Sequence, residues 1–206
     1  MRKLIVAAMI SLDGVVQAPG GPEEDTSGGF AHGGWVVPYA DGSDEVMGGA
    51  FSQPFELVLG RRTYDIFAAY WPHVPEDARY RDIADLFNGA VKHVATHHPA
   101  TLEWQNSLAL GPDIAAALRE LKRGDGPNLL TQGSSELVRQ LLATDLVDEL
   151  RLLVYPVLLG RGKRLFDDHT RASAFRLEAS KTSSTGVLIT RYAREGEVRT
   201  GSFEPA

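Results

Sequence analysis

The sequence predicts an α/β fold, because short apolar segments rich in β-branched residues alternate with amphipathic helical segments. Two of the junctions from a strand to a helix contain a glycine, Gly60 and Gly133. The last part of the chain instead carries two strand-like segments, 175–179 and 186–192, which predict an antiparallel hairpin. Ligands of α/β sheets bind at the carboxyl ends of the strands, so the two glycine junctions are candidate sites.

The composition fits one globular domain. The chain has 206 residues, 43% of them apolar and 23% charged, which is enough for one core but short for two. We expect a single domain over 1–194 and a loose polar tail over 195–206. The net charge of −6 argues against nucleic acid as a partner. No apolar run approaches the roughly 18 residues that span a membrane.

The chain start could be mistaken for a signal peptide, because the apolar run 4–10 follows Arg2 and Lys3. The run is short and Asp13-Gly14 follows it closely, which favours a buried first strand. There is no cysteine, so disulfides, zinc–thiolate sites and a cysteine nucleophile are excluded, and a cytoplasmic location fits. The pair His97-His98 lacks the partners and spacing of a metal site, and we expect no metal.

The first half of the chain begins with a strand at 3–10 and continues into a long loop over 17–43 that is rich in glycine, proline and aspartate. Loops of this length are lids, binding loops or disordered segments. Phe30, His32 and Trp35 indicate that part of this loop packs, whereas Glu23 to Asp25 reads as a solvated run. The elements predicted next are a helix at 41–52, a strand at 55–59 and a helix at 63–70.

The second half continues the alternation. Asp113 to Lys122 is the clearest helix, because Ile114, Ala117, Leu118 and Leu121 share one face. The other predicted elements are a helix at 77–88, strands at 92–96 and 107–110, a strand at 128–131, a helix at 136–142, and a strand from 148–153 leading into 154–159.

The first glycine junction can hold an anion. The apolar strand 57–59 runs through Gly60 into Arg61, Arg62 and Thr63. The first amides of a helix are free, its dipole is positive there, and two guanidiniums stand beside them. The alternative is an ordinary turn with solvated arginines, which a single glycine does not exclude.

The second glycine junction supports the interpretation of the first as an anion-binding site. The strand 128–131 is followed by Gln132-Gly133-Ser134-Ser135 and a helical repeat. Ser134 or Ser135 can cap that helix, and Gly133 lets backbone approach a ligand closely. Two such helix starts at one sheet edge suit a dinucleotide pyrophosphate. We therefore expect Gly133→Val to weaken cofactor binding with little effect on the stability of the free protein.

Four motifs in this order resemble the dihydrofolate reductase superfamily, and more closely the reductase domain of the riboflavin-biosynthesis deaminase-reductase. They cover nearly the whole chain and are Ser11-Leu12-Asp13-Gly14, Leu59-Gly60-Arg61-Arg62-Thr63-Tyr64, Gln132-Gly133-Ser134, and 146–151 running to 156–162. The resemblance implies a central mixed sheet of about eight strands, flanked by helices and ending in the antiparallel hairpin. It also implies an NADPH-dependent reductase.

The resemblance assigns cofactor contacts to three groups of residues. The pyrophosphate and the adenosine phosphate would be held by Gly60, Arg61, Arg62 and Thr63, and the adenine ribose would be flanked by Thr96 and His97. The second phosphate loop would comprise Gln132, Gly133, Ser134, Ser135, Glu136 and Leu137. Ala8 would lie under the nicotinamide. Gln132 stands where many relatives have glycine, which leaves the path of this loop open.

Two carboxylates are candidates for the acid chemistry that must accompany hydride transfer. Asp13 follows the first strand near the expected nicotinamide and could position substrate or cofactor ribose. Asp44 occupies the place where folate-type relatives keep a substrate carboxylate and could supply the proton. Asp13 could instead only form the turn, Asp44 could only favour the helix dipole, and water could deliver the proton.

The substrate implied by the resemblance is a heterocycle or its ribosyl derivative, as in the phosphoribosylamino-uracil reductase of riboflavin biosynthesis. The alternatives are a folate, pterin or small-xenobiotic reductase of the same fold, or a nucleotide-binding module without turnover. The apolar segments 154–159 and 187–189 exceed what one helix layer need cover, which predicts a homodimer.

Overall fold

The central element is an eight-stranded sheet, seen in a computed structural model that describes residues 1–42, 51 and 53–203. The described strands are β1 (Leu4–Ser11), β2 (Phe55–Gly60), β3 (Lys92–Ala95), β4 (Ser107–Ala109), β5 (Asn128–Gln132), β6 (Glu149–Tyr155), β7 (Ala174–Thr182) and β8 (Leu188–Gly196). The described α-helices are α1 (Arg61–Tyr70), α2 (Arg81–Gly89), α3 (Ile114–Arg123) and α4 (Ser135–Ala143). The predicted α/β fold is confirmed.

The strand order is β4-β3-β2-β5-β1-β6-β8-β7. The strands from β4 to β6 are mutually parallel, and β8 runs antiparallel to both β6 and β7, which confirms the C-terminal hairpin. After β1 the chain builds β2, β3 and β4 toward one edge of the sheet, whereas β6 follows β5 by crossing to the opposite side of β1. In open α/β sheets ligands bind at the carboxyl ends of the strands beside such a switch of direction, here the ends of β2, β5 and β1.

Two apolar layers hold the helices against the sheet. Alternate residues of β1 face opposite layers, as the period of a strand requires. Leu4 and Val6 pack with Leu118 of α3 and Leu141 of α4. Ile5 belongs to the other layer, which is rich in aromatic side chains from α1, α2 and the segment before β4. Both faces of the central strands are therefore buried, which explains their continuous apolar runs.

The predicted elements and the structure differ mainly at their ends. The helix predicted from residue 77 begins at Arg81, because Ala78 and Arg81 first form turns with Pro75 and Ala78. The last parallel strand stops at Tyr155, because Pro156 has no amide to continue the ladder. The helix predicted at 41–52 lies outside the described residues, except that 41–42 end a 3₁₀ segment, Val37–Gly42.

The long loop packs on the C-terminal strands. Phe30 and Trp35 are buried beside Tyr155 and Val187. The Trp35 indole donates to the Gln17 carbonyl at 2.8 Å. The Gln17 amide group also donates to the carbonyls of Asp25 and Ser27 at 3.0 and 2.9 Å. The expectation that part of this loop packs is confirmed, and its anchor is the buried amide of Gln17.

Asp13 fixes the turn between β6 and β7 against the end of β1. Its carboxylate accepts hydrogen bonds from the Ser11 hydroxyl (2.7 Å) and from the amides of Leu159 (3.1 Å) and Gly160 (2.7 Å). Burial raises the pKa of Asp13, but these hydrogen bonds outweigh it and lower the pKa to about 2. The group is therefore an ionised acceptor at neutral pH.

No helix in the described ranges combines the length and apolar character needed to cross a membrane.

We expect Asp13→Asn to lower the free energy of unfolding by about 1–3 kcal/mol at pH 7, because the amide presents a donor where three donors converge. Urea denaturation measures this, with Asp77→Asn at an exposed position as the control. Because the folded pKa lies below the ordinary value of 3.8, the contribution of Asp13 is complete above about pH 4. It should disappear as the pH falls toward 2, and equal stability of the two variants at pH 7 would contradict this role.

Candidate functional site

The two glycine junctions meet at the carboxyl edge of the sheet. Strands β2 and β5 are parallel neighbours, with Leu57 opposite Leu130. Their following turns are joined by a hydrogen bond of 3.0 Å from the Gly60 amide to the Ser134 hydroxyl. The starts of α1 and α4 therefore lie side by side, as the sequence predicts for a pyrophosphate site.

The serine that begins α4 joins the two turns and does not cap its own helix. Ser134 has a left-handed backbone, with φ 59° and ψ 52°, and makes no side-chain capping bond. Of the two serines predicted as possible caps, Ser134 holds the N-cap position but does not cap α4, because its hydroxyl accepts from the Gly60 amide instead, and Ser135 is the first residue of the helix. Gly60, the residue before α1, has no side chain to cap with. Neither helix start is thus capped by its N-cap side chain, and the first amides can receive an anion.

The two glycines serve different needs. Gly133 has φ +71°, and a Cβ there would lie 3.8 Å from the Thr63 methyl group. Gly60 has ordinary extended backbone, with φ −71° and ψ 152°. A side chain at 133 would therefore be strained before any ligand arrives. The expectation that Gly133→Val leaves the stability of the free protein nearly unchanged is not supported by this geometry.

Arg61 connects the first glycine turn with the end of β3. Its Nε donates to both carboxylate oxygens of Asp65 at 2.8 and 3.0 Å. Its Nη1 reaches the Thr96 hydroxyl at 3.5 Å and the His98 carbonyl at 3.4 Å, and it also contacts the Thr101 hydroxyl. Three residues that the resemblance assigns to the adenosine end, Arg61, Thr96 and His97, thus share one region. His97 itself is exposed.

Arg62 extends toward the long loop. Its Nη2 lies 2.7 Å from Asp25 Oδ1, and Lys163 Nζ lies 2.6 Å from the other oxygen of the same carboxylate. Asp25 is only 8% exposed, so the interpretation of 23–25 as a solvated run is wrong for Asp25, whereas Glu23 is exposed. The ion pairs compensate for the burial of this carboxylate. No sequence pattern distinguishes a buried carboxylate in a polar loop from an exposed one. The burial of Asp25 goes with its ion pair to Arg62, which only the fold brings near.

The remaining predicted cofactor residues surround the joined turns unequally. Leu137 is buried under Gly60, with 3.7 Å between its Cβ and a Cβ built at Gly60. Gln132 and Ser135 are partly buried. Glu136 is exposed and pairs with Arg139, so it places a negative charge in the first turn of α4. Where Arg139 does not neutralise the Glu136 carboxylate, its negative charge weakens the attraction of the start of α4 for an anion.

Strand β1 extends beyond its neighbour β5. The last pair between them is Ala7 opposite Gln132, whereas pairing with β6 continues to Ser11 opposite Tyr155. The residues of β1 beyond Ala7 therefore have no ladder partner on the β5 side. Ala8, at the start of this stretch, is 3% exposed and packs in the core.

The two candidate carboxylates stand differently. Asp13 lies at the end of β1, but its oxygens are directed to the turn at 159–160. A carboxyl group with a pKa of about 2 is ionised at neutral pH and holds no proton to deliver. Asp44 lies outside the described residues.

Aromatic side chains around β6 were not identified from the sequence as part of a site. Tyr155 ends β6, and its ring makes edge contacts with Trp35 and Tyr39 at 5.3 and 5.6 Å between ring centroids. Tyr155 is more than a hundred residues from Trp35 and Tyr39 in the chain, so the sequence does not indicate that they form a cluster. The only signal was the prediction that Trp35 packs on something.

Comparison with known proteins agrees with this architecture. The family model of the RibD C-terminal domain matches residues 2–189. The Bacillus subtilis (strain 168) uncharacterised proteins YyaP and YwjB are 24% and 25% identical over 95% and 91% of this chain, and the matches cover 96% of each relative.

Two solved structures share the fold. A Shewanella sp. PV-4 protein, provisionally assigned to riboflavin biosynthesis, gives a TM-score of 0.62 at 21% identity, covering 94% of this chain and 99% of that one. A pyrimidine reductase-like protein from Corynebacterium diphtheriae gives 0.54 at 14%, covering 95% and 93%. At these identities the likeness concerns the fold alone. The family match spans nearly the whole chain, and the protein belongs to the RibD C-terminal domain family.

Proposed function

We propose that the protein is an NADPH-dependent reductase that transfers a hydride to a heterocycle or its ribosyl derivative. The observation that carries the proposal is the pair of glycine turns joined by the hydrogen bond between Gly60 and Ser134. Membership of the RibD C-terminal domain family supports a reductase. The pyrimidine reductase-like neighbour supports a heterocyclic substrate, although its likeness extends only to the fold.

The residues of the joined turns fit a dinucleotide. The first amides of α1 and α4 and the hydroxyl of Thr63 would hold the pyrophosphate, because they converge where no N-cap side chain competes. Arg61, beside Thr96, would bind the adenosine phosphate by charge-assisted hydrogen bonds. Bound NADPH would supply the hydride.

Proton supply is assigned by elimination among the candidates. Asp13 is ionised and committed to the turn at 159–160, so it positions structure and does not act as the acid. Asp44 or a water molecule remains the proposed source of the proton. Reduction of a C=N bond adds the hydride to its carbon and a proton to its nitrogen, so the proton source would have to reach that nitrogen.

The function is tested by NADPH oxidation with a panel of ribosylaminopyrimidines, pterins and folates. We expect turnover with a member of the first class, and a lower Kd for NADPH than for NADH in a fluorescence titration. Arg61→Ala should reduce the ratio of the Kd for NADH to the Kd for NADPH. Arg176→Ala on β7 is the control. Binding of NADPH without oxidation of any substrate would favour a nucleotide-binding module, and absence of binding would refute both.

A charge placed in the first turn of α1 separates cofactor binding from folding. Thr63→Glu should weaken NADPH binding at least tenfold, because the carboxylate repels the phosphates. The same change favours the dipole of the free helix, so stability should change little. Ala116→Glu occupies the equivalent third position of α3 and serves as the control. Equal NADPH affinities of the two variants would place the phosphates elsewhere.

The homodimer remains a proposal, and less apolar surface is exposed for it than the sequence suggests. The long loop covers part of the apolar area that predicted it, since Val187 and Tyr155 are buried against Phe30 and Trp35. Leu158 and Leu188 remain exposed at 73% and 40%. Sedimentation at micromolar concentration should show twice the mass of the 22.4 kDa chain, and a monomer would refute the dimer alone.

A further inference from the structure

Asp25, in the long loop, is held by donors that lie outside α1. Its Oδ1 accepts hydrogen bonds from the amide and the hydroxyl of Ser27 at 3.1 and 2.6 Å. Its Oδ2 accepts from Lys163 Nζ at 2.6 Å. The side-chain amide of Gln17 donates to the carbonyls of Asp25 and Ser27 and accepts from the Lys163 amide. The carboxylate is therefore a buried anchor that the loop and the turn after β6 hold in place.

The ion-pair cluster of Arg62, Asp25 and Lys163 keeps a positive charge. Burial raises the pKa of Asp25, but hydrogen bonds from Lys163 and Ser27 outweigh it and lower the pKa below the ordinary value of 3.8. The carboxylate is therefore ionised at neutral pH. Two cations and one carboxylate leave a net charge of +1. Pairing with Asp25 thus does not cancel the attraction of this cluster for an anion.

Arg62 is the member of the cluster that stands beside the candidate site. It is the second residue of α1, next to the turn at Gly60. Its side chain is 57% exposed, and its Nη2 lies 2.7 Å from Asp25. A guanidinium has five N–H donors in one plane, so a contact through one nitrogen leaves donors for a second oxyanion. A fixed carboxylate also restricts a long side chain before a ligand arrives, which lowers the entropy lost on binding.

We propose that Asp25 is a positioning residue for the dinucleotide, because it holds the Arg62 guanidinium beside the start of α1 with its remaining donors available to the pyrophosphate. The inference rests on the proposed function, since it requires a dinucleotide at the joined turns. It gives the long loop a part in cofactor binding. Charge alone predicts the opposite effect, because a carboxylate near a phosphate repels it.

The test compares the affinities of full-length variants for NADPH by fluorescence titration. Asp25→Asn should weaken binding about threefold or more, because Arg62 loses its fixed partner, although the protein becomes less negative. Glu23→Gln makes the same change of charge at an exposed position of the same loop and should not weaken binding. In the Arg62→Ala background, Asp25→Asn should have no further effect, which a general disturbance of the loop would not produce.

Two further measurements locate the effect. Adenosine 2′-monophosphate has no pyrophosphate, so its affinity, measured by competition with NADPH, should be equal for the wild-type protein and Asp25→Asn. Arg62→Lys keeps the charge at an exposed position but loses the planar set of donors. It should therefore also weaken NADPH binding about threefold or more.

The outcomes separate this inference from the proposed function. Absence of NADPH binding by the wild-type protein would refute the proposed function and this inference with it. If NADPH binds, an unchanged or higher affinity of Asp25→Asn overturns only the role of Asp25. An equal loss of affinity with and without Arg62, or an equal loss for adenosine 2′-monophosphate, also overturns it. If Asp25→Asn fails to fold, Arg62→Lys decides, and wild-type affinity in that variant overturns the inference.

Discussion

The hydrogen bond from the Gly60 amide to the Ser134 hydroxyl is the contact on which the candidate site depends. It joins the turns after two neighbouring parallel strands and sets the starts of α1 and α4 side by side. The left-handed backbone of Ser134 directs the hydroxyl across to the other turn, at the cost of capping its own helix. The uncapped amides of two helices then lie close together, and helix starts of this kind bind phosphate groups.

A second constraint comes from the long loop, whose acidic residues act structurally. Asp25 pairs with Arg62 at the start of α1 and with Lys163 after β6. Asp13 similarly connects the end of β1 to the turn at 159–160. These carboxylates join α1, the loop, the end of β1 and the turn after β6. The aromatic contacts of Trp35 and Tyr39 with Tyr155 add an apolar attachment of the loop to the end of β6.

Sequence alone predicted the features that have local patterns. The alternation of strands and helices, the terminal hairpin and the neighbouring glycine turns around 60 and 133 follow from periodicity and turn chemistry. The sequence did not predict the features that depend on contacts between residues far apart in the chain. The Ser134 hydroxyl could accept a hydrogen bond from an amide of its own helix or from an amide of a distant turn, and the sequence does not decide between them. The ion-pair partners of Asp25 are far from it in the chain, and Tyr155, Trp35 and Tyr39 are brought together only by the folded loop. The ends of α2 and β6 were displaced because turns and Pro156 interrupt otherwise suitable segments.

Amide hydrogen exchange with and without NADPH tests most directly whether the joined turns form one dinucleotide site. The account predicts added protection in the first turns of both α1 and α4, at 61–63 and 135–137. The first turn of α3, at 114–116, should exchange equally in both states because it lies apart from the joined turns. Protection of one helix start without the other, or of neither at saturating NADPH, would contradict the account.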